Sequence, residues 1–178
     1  MSQEILAFWF EEIDSALWFK KDVSFDQLIE TRFLDLHQQA NRCELFAWRE
    51  TPEGRLAEII ILDQFSRNIY RDKPEAFASD QLALVLAQEA VRVGADQQME
   101  PRMRGFFYLP FMHSESVLIH KQALKLYTEL GNPHNLEFER KHKAIIERFG
   151  RYPHRNAILG RESTPEELAF LREPGSSF

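Results

Sequence analysis

Three short segments place a capping side chain one or two residues ahead of a proline. They are Thr51-Pro52-Glu53-Gly54, Asp72-Lys73-Pro74-Glu75 and Thr164-Pro165-Glu166-Glu167. Such a side chain accepts hydrogen bonds from the free N–H groups of a first helical turn. Proline's fixed φ suits the opening positions. Each segment therefore predicts a helix start, and apolar residues at helical spacing follow the first two. Leu56, Ile59, Ile60, Leu62 and Phe65 recur beyond Thr51, and the helix from Asp72 runs to near Gly94. Ile59 to Leu62 has β propensity, but the helical period around it outweighs that signal. The third helix is short and stops at Pro174-Gly175.

The remaining chain reads the same way. Residues 3–12 are apolar almost all round, through Ile5, Leu6, Phe8, Trp9 and Phe10, which predicts burial on more than one side. Ser24 and Gln27 have capping-box spacing and open a helix toward Ala40. Pro110 is expected to begin or bend a helix that continues to Leu130, and another carries His142 to Gly150. The expectation is seven or eight helices with short joints in one all-α domain, residues 1–178, built from stacked antiparallel hairpins.

The chain has 178 residues, enough for one domain with a sizeable core, and 44% of them are hydrophobic. Fifteen Phe, three Trp and four Tyr favour an aromatic core. A net charge of −6 argues against general nucleic-acid affinity. Cys43 is the one cysteine, so no internal disulfide or thiolate metal cluster can form, and a reduced thiol in the cytoplasm is expected. No stretch approaches the roughly 20 apolar residues of a transmembrane helix. The N-terminus has no basic segment of the kind that opens a signal peptide.

Hydrogen-bonding groups concentrate in motifs that are also aromatic. Asp63-Gln64-Phe65-Ser66-Arg67-Asn68 is one, and Arg148-Phe149-Gly150-Arg151-Tyr152-Pro153-His154-Arg155-Asn156 is another. Tyr108-Leu109-Pro110-Phe111-Met112-His113-Ser114-Glu115 lies between them. Buried groups of this kind must pair internally or present themselves to a ligand. Asp63 and Arg67 are four apart and can pair along a helix. That orients a guanidinium whose fork suits carboxylate or phosphate. Arg151 and Arg155 sit in a turn enforced by Pro153, a setting that suits an anion equally with helix capping. His113 and Glu115 are a candidate acid–base pair, although a spacing of two separates them on a regular helix. His113 and His120, seven apart, would be about 10.5 Å apart on one helix, too far to chelate one metal. No zinc signature, nucleophile elbow or glycine-rich phosphate loop occurs.

Leu6-Ala7-Phe8-Trp9-Phe10, the run from Leu62 to Arg71, Ala76-Phe77-Ala78-Ser79-Asp80, the run from Tyr108 to Glu115, the run from Phe149 to Asn156 and the run from Leu159 to Glu167 together resemble the bacterial DUF924 family. The resemblance spans almost the whole chain. It implies a helical fold of the tetratricopeptide-like superfamily. Asp63, Arg67, Asn68, Asp80, His113, Glu115, Arg151, Arg155 and Asn156 match the family's polar positions, and no catalytic role travels with them. Three functional expectations follow. The first is binding of a small anionic metabolite or acidic peptide end in an arginine-rich cleft lined by Asp63, Arg67, Asn68, Asp80, Arg151, Arg155 and Asn156. The second is a protein-interaction module of tetratricopeptide-like type. The third is a metal-independent hydrolase or lyase using His113 and Glu115. None of these requires a cofactor.

Overall fold

The computed structural model describes residues 1–177. Among them the regular elements are all helical. Helix α1, Ser2–Ala7, runs without a break into a π-helical turn, Phe8–Glu12. Its all-round apolar character is explained by burial of Ile5, Leu6, Phe8, Trp9 and Phe10. Helix α2, Val23–Asn41, is capped by Asp22, whose Oδ1 accepts from the Phe25 N–H at 3.0 Å. Ser24 is therefore not the cap. The carboxylate two residues earlier reaches the first turn instead. Phe25, Ile29, Phe33, His37 and Ala40 form the buried stripe of α2.

The middle of the molecule is a rod in three pieces. Helix α3, Pro52–Ile60, passes into a π-helical turn, Ile61–Phe65, and then into α4, Ser66–Ile69. Thr51 caps the rod, accepting from the Gly54 N–H at 3.1 Å. Gly54 is required there, because a Cβ would lie 2.0 Å from the Trp48 carbonyl oxygen. Leu56, Ala57, Ile59, Ile60, Ile61, Leu62 and Phe65 are all buried, so other elements surround the rod.

The helix expected from Asp72 is broken in two. Helix α5 is Glu75–Ala78, and α6 is Asp80–Arg92. At the break, the Ser79 hydroxyl donates to Asn41 Oδ1 at 2.8 Å. Asp72 adopts a left-handed backbone with φ of 60° rather than a cap conformation. Pro110 also acts differently from expectation. It lies inside α7, Pro101–Met112, close to its end, and α8 begins only at Val117. Residues 113–116 interrupt the helix expected to reach Leu130, so His113 and His120 do not share one helix. Helix α8, Val117–Leu130, stops at Gly131 with φ of 73°, and α9, Pro133–Phe149, stops at Gly150 with φ of 70°. Thr164 and Glu167 form a reciprocal capping box on α10, Pro165–Phe170.

The helices stack in sequence: α3 against α1 and α6, α6 against α7, α7 against α8, and α8 against α9. One large apolar cluster fills α1 through α8. A second, small cluster holds Ile145, Ile146, Tyr152 and Phe170, with Phe149 against it.

The buried His37 and His142 and the half-buried His154 are neutral at pH 7. Burial pushes His37 down to about 4, His142 to about 3 and His154 to about 4. The unfolded chain takes up these protons near pH 6.5. Their stabilising share is therefore fully present above about 6.5 and is lost as pH falls toward 4. We expect the urea midpoint to drop between pH 7 and pH 4.5. His37 donates to Ser66 Oγ (2.7 Å), because that hydroxyl itself donates to the Leu62 carbonyl. Glutamine can make the same donation without titrating, so His37→Gln should flatten part of the pH dependence. An unchanged slope would show that His37 does not contribute.

Candidate functional site

Asp63 lies in the π-helical turn of the central rod. Turns of this kind recur at functional sites, because one extra residue per turn shifts side chains off the helical register. Asp63 is 1% exposed. Its Oδ1 faces His113 Nδ1 at 2.7 Å, and its Oδ2 accepts from Gln64 Nε2 at 2.5 Å. Burial opposes ionisation of Asp63, but the opposing pull of His113 and Arg67 outweighs it and holds the carboxyl below its usual range. An ionised carboxylate can only accept. The His113 proton therefore sits on Nδ1, which leaves a lone pair on Nε2. Burial, then repulsion by Arg67, lowers the pKa of His113 despite Asp63. The ring is neutral at pH 7 and can act as a base.

Two arginines flank this pair. Arg67 grips Asp80 with two parallel bonds, 2.8 and 3.0 Å, and donates to the Asp63 carbonyl at 2.8 Å. Asp80 is the first residue of α6, so the break at Ser79 is what aims its carboxylate at the arginine. Arg155 donates to Asp80 Oδ2 at 3.2 Å and to the His113 carbonyl at 3.0 Å. Its guanidinium lies against the rings of Phe77 and Tyr152, 4.6 and 4.7 Å from their centroids. Two arginines and two aspartates balance one another, with His113 neutral. The side chains of His113 and Arg67 keep 16% and 20% of their surface open. The cluster thus joins Asp63, Arg67, Asp80, His113 and Arg155 from four parts of the chain.

The other expected site residues lie elsewhere. Asn68 donates to Asp26 at 2.8 Å, beside the Arg71–Asp26 ion pair, and ties α4 to α2. Glu115 does not bond to His113. It accepts from both terminal nitrogens of Arg161, at 2.7 and 2.9 Å, and from the Tyr152 N–H at 2.7 Å. Arg161 continues to Asn156 Oδ1 at 3.0 Å, and Asn156 donates to Ser163 and Glu167. Arg151 grips Glu167 with two bonds, 2.7 and 2.8 Å, and reaches the Glu162 carbonyl. The bond from Arg151, before any other influence, pulls Glu167 down to about 2. Glu115, Arg151 and Asn156 thus belong to a second network that folds the C-terminal segment onto the rest.

Sequence reasoning passed over Tyr152, Arg161 and Phe77 as parts of these networks. All three stood inside quoted motifs, but their partners lie far away in sequence, as with Arg161 and Glu115. Among the described residues, no group of three or more His, Cys, Asp or Glu is placed to hold a metal ion. No helix among them is long and apolar enough to cross a membrane. Two cavities lie away from the cluster. One of about 570 Å³ opens between α1 and the start of α7, lined by Leu6, Glu11, Glu53, Met99, Glu100 and Met103 among others. One of about 450 Å³ runs between α6 and α8 over Phe111.

The fold and cluster define an all-α protein of stacked helices in which a buried carboxylate orients a histidine beside two arginines. The chain belongs to the family described as bacterial protein of unknown function DUF924, whose profile matches residues 5–175. It is similar to the solved structure titled Protein of Unknown Function ATU0120 from Agrobacterium tumefaciens. The TM-score is 0.92, with 43% sequence identity over 96% of each chain. No curated protein matches it.

The two networks differ in what their loss should do. Arg67→Met leaves Asp63 and Asp80 short of a cation in a half-closed site. We expect a loss of about 2 kcal/mol, between the exposed and buried limits for an ion pair, read from urea unfolding. Arg151→Ala should instead loosen the C-terminus, seen as faster amide exchange at Thr164 to Glu167, with the His113 ring signals unchanged. Equal effects of both variants on His113 would merge the two networks into one.

Proposed function

We propose that the protein binds a small anionic metabolite at the Asp63–His113–Arg67–Asp80–Arg155 cluster and exchanges a proton with it through His113. The observation that carries this reading is the 2.7 Å contact between a buried, ionised Asp63 and a half-open, neutral His113. Buried carboxylates fix imidazoles in one tautomer in this way, and the far nitrogen then takes a proton from water or substrate. Arg67, a fifth open, offers its remaining N–H groups to a negatively charged group, whether in the ligand or developing during reaction, while the buried Arg155 holds Asp80 and the His113 carbonyl behind it. A hydrolase or lyase step without metal or cofactor fits this set. In this reading Asp63 replaces Glu115 as the partner of His113. Glu115, Asn68, Arg151 and Asn156 frame the site instead of touching the ligand. The exposed thiol of Cys43 fits the reducing cytoplasm as the location.

A protein-interaction role is the second reading, favoured by the apolar groove of Val91, Phe111 and Leu126 between α6 and α8. The succession of α6, α7, α8 and α9 supports the tetratricopeptide-like hairpin stacking on which that role rests. A peptide held by the wild type and released by Val91→Lys, with no metabolite turned over, would put this reading first.

The test of the leading proposal is incubation of purified protein with pooled polar metabolites, followed by mass spectrometry of what is retained or consumed. We expect His113→Ala to lower any turnover by about 100-fold or more, the usual share of a general base. The rate should fall as pH drops through the His113 titration, which lies below the ordinary value of about 6.5. Turnover that survives His113→Ala at the wild-type rate would remove His113 from the chemistry.

A further inference from the structure

Helices α8 and α9 end simply, on glycines in the left-handed conformation. Helix α7 ends differently. Its last carbonyl and the two that follow are each taken by a side chain, two from the segment after α9 and one from the next helix. The Tyr152 hydroxyl donates to the Met112 carbonyl at 2.5 Å. Arg155 Nη2 donates to the His113 carbonyl at 3.0 Å. His120 Nε2 donates to the Ser114 carbonyl at 2.9 Å. A carbonyl only accepts, so the His120 proton on that side is fixed, and His120 Nδ1 faces Glu139 Oε1 at 2.8 Å.

Satisfying three carbonyls at a helix end does not require this arrangement, since water or a glycine turn would serve. Here the donors are costly. His120 and Glu139 are fully buried, and Tyr152 is 1% exposed. The second Glu139 oxygen is buried without a hydrogen-bond partner, a standing penalty in a low-dielectric interior. Two of the bonds fall on the peptide groups on either side of His113, and the third, from His120, falls on the next peptide along. Glu115, two residues beyond His113, is also held, its carboxylate accepting from Arg161 and the Tyr152 N–H.

We infer that Tyr152 and His120, the latter oriented by Glu139, are positioning residues for His113. Tyr152 fixes the peptide before His113 and His120 the peptide after Ser114, so that the His113 ring meets Asp63 through Nδ1 and turns Nε2 outward. Asp63 alone supplies one bond, about which the imidazole can still swing. The carbonyl bonds remove that freedom by holding the backbone from which the ring projects. This inference rests on the reading of His113 as the proton carrier, but its test needs no substrate.

Long-range proton–nitrogen spectra of the intact protein report the tautomer and titration midpoint of each histidine ring. In the wild type, His113 should show the Nδ1–H form and a midpoint below about 6.5. Tyr152→Phe keeps the ring and loses only the hydroxyl, and His120→Ala removes the other donor. In each, the His113 signal should move toward a mixture of tautomers, and its midpoint should rise toward the ordinary value. His120→Gln, whose amide can still donate to the Ser114 carbonyl, should restore the wild-type signal. Thr164→Ala removes the α10 cap and controls for general loosening, with His113 expected unchanged. If His120→Ala does not fold, Tyr152→Phe decides the matter. Wild-type His113 signals in folded Tyr152→Phe would overturn the inference, as would an equal shift in Thr164→Ala. A shifted His113 in a protein that turns nothing over would keep the positioning role and reject the proton-transfer reading. An unshifted His113 in an active enzyme would do the reverse.

Discussion

A carboxylate buried in the middle of a hydrophobic rod must find cations or donors, and Asp63 organises its surroundings for that reason. Ile61, Leu62 and Phe65 around it are completely buried. Without His113, Arg67 and Gln64 the charge would be too costly to keep. Meeting that demand draws the end of α7 against the π-helical turn and fixes the direction of Arg67. Arg67 then requires Asp80, and the chain breaks at Ser79 to provide it. Arg155 arrives last, shared between Asp80 and the His113 carbonyl. Each partner satisfies the one before it, so the cluster is a chain of compensations starting from one buried charge.

The sequence carried the helices well wherever a local signal decided them. Thr51, Pro52, Thr164 and Glu167 act within one turn, and the helices begin where those residues say. At Ser24 a neighbouring carboxylate took the cap, and elsewhere a distant partner overrode the local pattern. Asp72-Lys73-Pro74-Glu75 has the look of a helix start, but no short-range rule announces that Ser79 bonds to Asn41 or that Asp80 is needed by two arginines. Pro110 is tolerated because the helix ends soon after it, a fact set by side chains from the C-terminal third.

The candidate site was legible as composition and not as pairing. Asp63, Arg67, His113 and Arg155 could be selected from motif chemistry, and Asp80 from the family resemblance alone. Glu115 is a candidate partner of His113 in spite of a spacing of two that points them apart on a regular helix, and the turn after α7 gives it to Arg161 and the Tyr152 N–H instead. Asn68 and Asn156 have the same chemistry as ligand-reading amides, and in this fold they hold other side chains. Partner identity depends on three-dimensional proximity, which residue type does not encode.

The division of the apolar interior into one large cluster and one small one has a further consequence. Tyr152 belongs to the small cluster of Ile145, Ile146 and Phe170, and Arg155 follows it by three residues. The partners of His113 are thus split between a deep core and a thin one. A thin apolar cluster opens more readily than a thick one, because less buried surface opposes it. Detachment of the last thirty or so residues would strip Arg155 and Tyr152 from the end of α7 while the rod and its neighbours remained packed. The cluster would then come apart in an otherwise folded molecule, and its loosening on heating would precede the main unfolding transition.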